Sequence, residues 1–109
     1  MAESTSATTG ANVLVVDDDA AMATMLADGL LDLGHHVTVR TDSAAAASAI
    51  EDVAFDVLVT DLRMPGADGL ELLALSKRKV PERPVIVMTA FGAVDSAVAS
   101  LRRGAYHYL

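Results

Sequence analysis

The chain has 109 residues, enough for one domain with a core, and its 52% content of hydrophobic residues excludes a disordered protein. Acidic residues outnumber basic ones by 15 to 8 and leave a formal net charge of −7, so we expect no direct contact with nucleic acid or an anionic membrane surface. No cysteine is present, which excludes disulfides and thiolate metal sites and is compatible with the cytoplasm. No apolar run approaches the ~20 residues that span a bilayer.

The first residues are small and polar, with neither the basic start nor the apolar stretch of a signal peptide. We predict a disordered tail over residues 1–11 and a single domain over residues 12–109.

Short apolar runs rich in β-branched residues follow the tail at intervals. The runs at 13–16, 56–59 and 85–88 are continuous, which is typical of strands covered on both faces. The segments 36–40 and 105–109 alternate between apolar and polar residues, as edge strands do. Five strands are therefore predicted, and the second and fifth are expected at the edges of the sheet.

Helical patterns of apolar residues fill the gaps between these strands. Four helices are predicted, over residues 22–33, 44–50, 70–78 and 94–101. Gly34 closes the first helix, and Asp42 or Ser43 caps the second. A basic cluster formed by residues 77–79 and Arg83 is expected at the end of the third helix, where cations complement the helix dipole.

Alternating strands and helices indicate an α/β fold with a parallel sheet and right-handed crossovers. Two edge strands and three interior ones fit the order 2-1-3-4-5. This is the flavodoxin-like arrangement, in which the ligand crevice lies between strands one and three.

Acidic residues follow the two strands that flank this crevice. Asp17, Asp18 and Asp19 come after the first strand, and Asp61 ends the third. We assign helix capping to Asp19 alone, because one residue is enough to cap a helix. Close carboxylates repel one another unless a cation compensates, and Mg²⁺ prefers oxygen ligands. The pattern therefore favours a magnesium site over a purely structural turn.

With Mg²⁺ present, an aspartate on a loop at a strand end can accept a phosphoryl group as a nucleophile. Thr89, at the end of the fourth strand, offers a hydroxyl that can donate a hydrogen bond to a phosphoryl oxygen. A threonine without a role is an equally good interpretation from these residues alone. His35 and His36 fall at the far end of the predicted sheet, so we expect no histidine ligands.

Four stretches, VLVVDDD, TDLRMPGADG, VIVMTAFG and GAYHYL, occur in the order and spacing of the receiver domains of two-component response regulators. The chain resembles this family from Asn12 to Leu109, and FGAVDSAVASLRRGAYHYL resembles the receivers of sigma-54-dependent transcription activators. The resemblance implies a CheY-like domain that is not an enzyme. It would take a phosphoryl group from a sensor histidine kinase and regulate an output domain, transcriptional in kind, that is absent from this chain.

The resemblance also implies roles for individual residues at the crevice. Asp61 would be the phosphoacceptor. Asp18 and Asp61 would ligate Mg²⁺, together with the backbone carbonyl of Arg63. Asp17 would bind the metal through water.

A switching pair is implied as well. The hydroxyl of Thr89 would move toward the phosphoryl group, and the ring of Tyr108 would rotate inward behind it. This would alter the face built from the fourth helix and the fifth strand. The small Ala90 would leave the phosphoryl group accessible, and Phe91 would partly shield it.

The family carries a Lys-Pro pair shortly after the fifth strand, and that lysine pairs with the phosphoryl oxygens. The sequence stops at Leu109, before the pair and before the fifth helix. We therefore expect a fragment of a longer regulator, truncated before the fifth helix. Such a fragment would either self-associate, for example as a homodimer, or rearrange its last segment to cover the exposed face of the sheet.

Two other interpretations stay open. A phosphatase or phosphotransferase of the haloacid-dehalogenase type also uses an aspartyl phosphate and Mg²⁺. Its signature fits Asp17 and Asp19 but needs Thr or Val where this chain has Ala21. The other is a pseudo-receiver that docks partners without phosphate, which would not require the intact acids and Thr89.

Overall fold

A computed structural model describes residues 10–61 and 69–88, together with the backbone of residues 107 and 108. The strands are β1 Asn12–Val16, β2 His36–Arg40, β3 Val57–Asp61, β4 Val85–Met88 and β5 His107–Tyr108. The helices in this part of the chain are α1 Ala20–Asp32, α2 Ser43–Asp52 and α3 Gly69–Lys79. The predicted fourth helix lies outside the described residues, as do the first nine residues of the predicted tail. None of the described helices is long and apolar enough to cross a bilayer.

The five strands form one parallel sheet in the order β2-β1-β3-β4-β5, which confirms the predicted flavodoxin-like arrangement. β1 lies between β2 and β3 in the sheet and pairs with both. In this register Val16 lies opposite both Arg40 and Thr60. The carboxyl ends of β1 and β3 are therefore level, so residues that leave these strands emerge side by side.

Both faces of the sheet are covered, because successive side chains of a strand point to opposite sides. On one face, Leu14 and Leu58 pack in a cluster with residues of α2 and α3, and both are fully buried. On the other face, Val13 and Val15 pack against α1. Burying one leucine side chain contributes about 1.5–3 kcal/mol. Of the three described helices, α1 covers one face and α2 and α3 cover the other, as right-handed crossovers predict.

The ends of α1 follow the predicted signals. At its carboxyl end Leu33 is the C-cap, and Gly34 has a φ of 93°, in the left-handed region that glycine tolerates. The N–H of Gly34 donates to the carbonyl of Leu31 at 2.9 Å, and the N–H of His35 donates to that of Leu30 at 3.1 Å. This pair of bonds is the Schellman motif, which satisfies carbonyls at the helix end.

The face of α1 that packs on the sheet differs from the stripe that its largest side chains suggest. Ala23 and Ala27 are buried, whereas Met22, Met25 and Leu33 are 40%, 62% and 75% exposed. Small alanines let the helix backbone approach the sheet closely. Leu26 and Leu30 pack partly buried against the same cluster, whereas Met22, Met25 and Leu33 stay largely outside it. α1 therefore carries exposed apolar surface.

Two residues of the predicted tail belong to the folded domain. The N–H of Ala11 donates to Nδ1 of His35 at 3.0 Å, and the carbonyl of Ala11 accepts from the N–H of His36 at 3.0 Å. Gly10 packs so closely against the backbone of Gly34 and His35 that a Cβ would clash there. The chain is thus anchored from Gly10 onward.

We predict that the 109-residue chain self-associates through the α1 side of the sheet. On that side Ile86 remains half-buried, whereas Val87 on the opposite face is fully buried. Apolar patches larger than roughly 300–600 Å² are rare on monomers. The sedimentation coefficient should therefore rise with protein concentration.

The same sedimentation series has a matched pair of variants. Ile86→Thr removes apolar surface from that side and should shift the equilibrium toward monomer. Met25→Thr changes an exposed apolar residue on the side of α1 that faces away from the buried Ala23 and Ala27, so it should leave association unchanged. A wild-type chain that stays monomeric at high concentration would show that the described core is stable without self-association.

Candidate functional site

Strand register brings three carboxylates together at one end of the sheet. Asp17 and Asp18 follow β1, and Asp61 is the last residue of β3. Because Val16 pairs with Thr60, these residues leave the sheet next to each other. One carboxylate oxygen from each of the three acids lies within 4.8 Å of the other two. The crevice expected between strands one and three is thus lined with acid.

The three acids differ in their exposure to solvent. Asp17 is 5% exposed, Asp61 is half-buried and Asp18 is exposed. The backbone holds Asp17 in place: its N–H donates to the carbonyl of Arg40 at 3.2 Å, and its Oδ1 accepts from the N–H of Asp19 at 2.9 Å. The cluster is therefore anchored on its buried side and open on the side of Asp18.

This environment disfavours the charged form of Asp17. Burial raises the pKa of its carboxyl above the ordinary value, while the hydrogen bond from the backbone of Asp19 acts in the opposite direction. The negative charges of Asp61, Asp18 and Asp19 raise the pKa of Asp17 further. A bound cation would reverse this balance, because it favours ionised carboxylates.

Asp19 has a separate structural role, as predicted. Its Oδ1 accepts hydrogen bonds from the N–H groups of Ala21 at 3.0 Å and Met22 at 3.2 Å, and its backbone is extended. This is the geometry of a helix N-cap, which satisfies two backbone donors at the start of α1.

Thr60 precedes Asp61 in β3 and restrains its backbone. This role was not predicted from the sequence. Its side chain is fully buried, and its hydroxyl donates to the backbone carbonyl of Asp61 at 3.1 Å. The hydrogen bond restrains the backbone at the end of β3. A hydroxyl directly before the strand-end acid was the available signal.

The donor set is made of oxygen atoms alone. Among the described residues, Asp17, Asp18 and Asp61 are the one group of three potential metal ligands that lie close together. His35 and His36 lie at the other end of the sheet, as predicted: His36 begins β2, opposite Asn12 at the start of β1. Carboxylate oxygens suit hard divalent cations such as Mg²⁺ and Ca²⁺.

Several predicted site residues lie outside the described part of the chain. These are Arg63, Thr89 and residues 90 and 91, so their roles stay predictions. Tyr108 lies in β5, paired with Val87 of β4, and only its backbone is described.

Comparison with known proteins identifies relatives of the whole described domain. A family model of the response regulator receiver domain matches residues 13–109. The response regulator protein FleR of Pseudomonas aeruginosa is 48% identical over 100 residues, which are 91% of this chain and 21% of FleR. The DNA-binding transcriptional regulator NtrC of Escherichia coli is 41% identical over 97 residues, 89% of this chain and 21% of NtrC. This chain therefore spans about a fifth of the length of these relatives.

Solved structures extend the likeness to the tertiary fold. A response regulator from Burkholderia pseudomallei is 30% identical, with a TM-score of 0.84 over 90% of this chain and 58% of that chain. That structure contains a phosphorylated aspartic acid, a calcium ion and citrate.

We predict that Asp17→Asn stabilises the metal-free domain. Asparagine keeps an oxygen that accepts from the N–H of Asp19 but removes one of three charges held within 4.8 Å. Like charges at such a distance repel by about 1 kcal/mol even at the dielectric constant of water, so the free energy of unfolding should rise by about that much at pH 7. Urea unfolding in the presence of a chelator measures it.

The pH dependence of this gain has a definite sign. The pKa of Asp17 is raised in the folded state above its ordinary value, so its ionisation costs stability as the pH rises through the folded pKa. The gain from Asp17→Asn should therefore be largest at neutral pH and disappear at acidic pH. Asp28→Asn, at an exposed position of α1, is the control. A loss of stability in Asp17→Asn at neutral pH would contradict the electrostatic account.

Proposed function

The chain belongs to the response regulator receiver domain family, and we propose that it accepts a phosphoryl group on Asp61 from a sensor histidine kinase. We further propose that phosphorylation regulates a transcriptional output domain elsewhere in a longer protein, in the cytoplasm. The observation that carries the proposal is the cluster of Asp17, Asp18 and Asp61 at the carboxyl ends of β1 and β3. The names of FleR and NtrC support the regulatory role.

Asp61 is the nucleophile in this proposal. One of its carboxylate oxygens attacks the phosphorus atom of the donor, and the bond from phosphorus to the donor's leaving atom breaks, with the electron pair departing on the leaving group. The product is an acyl phosphate on Asp61. The hydrogen bond from Thr60 to the carbonyl of Asp61 supports the role, because it fixes the backbone that presents the nucleophile.

We propose Mg²⁺ as the cofactor. Asp18 and Asp61 would hold the ion directly, together with the backbone carbonyl of Arg63. Asp17 would bind it through water, which suits a side chain that is buried and already shares one oxygen with the N–H of Asp19. Bound Mg²⁺ supplies positive charge that offsets the carboxylates and the oxygens of the transferred group. The calcium ion in the Burkholderia structure belongs to the same class of hard cation.

The switch is proposed to run through strands β4 and β5. Met88, the last residue of β4, pairs with Asp61, and Thr89 follows it directly in the chain. The hydroxyl of Thr89 would donate to a phosphoryl oxygen. Tyr108, opposite Val87 in the register, would then rotate inward and alter the face built from the fourth helix and β5.

The structure offers no support for a haloacid-dehalogenase mechanism. That mechanism needs Asp19 as its second acid, whereas the Asp19 carboxylate accepts the backbone N–H groups of Ala21 and Met22. We therefore propose a phosphoryl carrier and switch that is not an enzyme turning over a substrate.

The metal assignment predicts that Asp18→Ala weakens Mg²⁺ binding by roughly tenfold or more, because a direct carboxylate ligand is removed. Isothermal titration of the 109-residue chain with MgCl₂ measures the dissociation constant. Asp28→Ala removes an equally exposed acid from α1 and is the matched control. An unchanged titration in Asp18→Ala would show that the ion binds elsewhere.

The phosphoacceptor assignment predicts that acetyl phosphate with Mg²⁺ adds the mass of one phosphoryl group to the wild-type chain. Asp61→Asn should abolish the gain, because an amide cannot form the acyl phosphate. Asp56→Asn should retain it. Asp56 precedes β3 at the other end of the strand, and asparagine keeps an oxygen for its hydrogen bond from the N–H of Asn12. A mass gain that survives in Asp61→Asn would refute the assignment.

A further inference from the structure

A second charged site lies at the opposite end of the sheet from the acids. A groove of about 310 Å³ opens there between the segment that precedes β3 and the segment that joins α3 to β4. It is lined by Phe55, Asp56, Val80, Glu82, Arg83 and Pro84. β3 has five residues, so at ~3.3 Å per residue the groove is roughly 15 Å from the acidic cluster.

Arg83 is the unusual member of this lining. The sequence suggested that it belongs with the basic residues at the end of α3, but its side chain is only 8% exposed. Its Nε donates to the hydroxyl of the fully buried Ser76 at 3.2 Å, and its Cζ lies 3.7 Å from the centroid of the Phe55 ring. Its Nη2 is buried and has no hydrogen-bond partner. The guanidinium is thus satisfied at Nε and unsatisfied at Nη2.

The buried positive charge of Arg83 lacks an anionic partner in the described part of the chain. Burial lowers the pKa of its guanidinium, yet an arginine stays protonated at physiological pH. The ring of Phe55 attracts the cation but does not neutralise it. The two acids of the groove are placed for other contacts: Asp56 accepts from the N–H of Asn12 at 2.8 Å, and Glu82 is exposed. A buried, unpaired donor on a charged group is costly, so an anion here would be stabilising.

We propose that this groove binds a small monocarboxylate with an apolar body. The carboxylate contacts the guanidinium of Arg83, whose planar fork of N–H groups matches two carboxylate oxygens. The apolar body lies against Phe55, Val80 and Pro84. Because Nη2 is buried, binding requires the guanidinium to turn toward the groove.

The size and charge of the groove restrict the ligand further. Its volume is at the lower end of the ~300–1,000 Å³ typical of small-molecule sites. The carboxylates of Asp56 and Glu82 repel a dianion such as phosphate more strongly than a monoanion. A compact aromatic or aliphatic monocarboxylate satisfies both restrictions.

Benzoate is a suitable probe for the intact 109-residue chain. In an NMR titration, the amide signals of Val80 and Glu82 and the Nε–H signal of Arg83 should shift in a saturable manner, with a Kd of about 1–10 mM for so small a ligand. Neutral benzamide, which has nearly the same shape, and inorganic phosphate should each bind about tenfold more weakly or not at all. Benzamide binding as tightly as benzoate, or the absence of saturable shifts with benzoate, overturns the proposal.

Arg83→Met keeps much of the side-chain length and removes the charge, so benzoate affinity should fall at least about tenfold. Its Mg²⁺ titration at the acidic cluster should match that of wild type, which establishes that the variant is folded. Equal benzoate binding in this variant overturns the proposal.

If Arg83→Met does not fold, Glu82→Gln tests whether the groove binds a monocarboxylate. Glu82 is exposed, and removal of its negative charge should tighten benzoate binding about twofold. The control Asp28→Asn, on α1, should not change the affinity. Unchanged or weaker binding in Glu82→Gln overturns the proposal.

Discussion

Repulsion among three carboxylates is the constraint on which the rest of this structure depends. The parallel register of β1 and β3 holds Asp17, Asp18 and Asp61 with oxygens within 4.8 Å, and the buried apolar residues on both faces of the sheet keep that register in place. The core thus supports a site that is unfavourable without a cation. Because any ligand that relieves the repulsion binds the folded state alone, binding at the crevice is coupled to the stability of the domain.

Three consecutive aspartates show how backbone geometry separates the roles of identical side chains. Asp17 is buried and its Oδ1 accepts a backbone N–H, Asp18 is exposed on the open side of the acidic cluster, and Asp19 caps α1. The chain leaves β1 and enters α1 within these residues, so each side chain faces a different environment. The N-cap also stabilises the first turn of α1 beside the acids. The helix that covers one face of the sheet is therefore joined to the site through Asp19.

Among the described residues, the two ends of the sheet hold buried charged side chains of opposite sign, Asp17 and Arg83. Carboxylates gather where β1 and β3 end, and the guanidinium of Arg83 is enclosed beside Phe55 before β3 and β4 begin. Between them lie the fully buried side chains of β3 and β4, such as Leu58 and Val85. This apolar layer separates the charges by roughly the length of a strand. The acidic cluster and Arg83 are therefore too far apart to neutralise each other.

Local patterns in the sequence determined the elements, their order and the carboxyl-end site, because strand and helix periodicity, caps and strand-end acids are all short-range signals. The runs at 36–40 and 85–88 are strands with those bounds, and Asp19 is the cap that it was expected to be. Tertiary structure alone decided which apolar side chains are buried. Helical spacing allows α1 two neighbouring apolar stripes, and close packing selected the one with Ala23. Burial of Arg83 likewise depends on contacts with residues far along the chain, which no local pattern reveals.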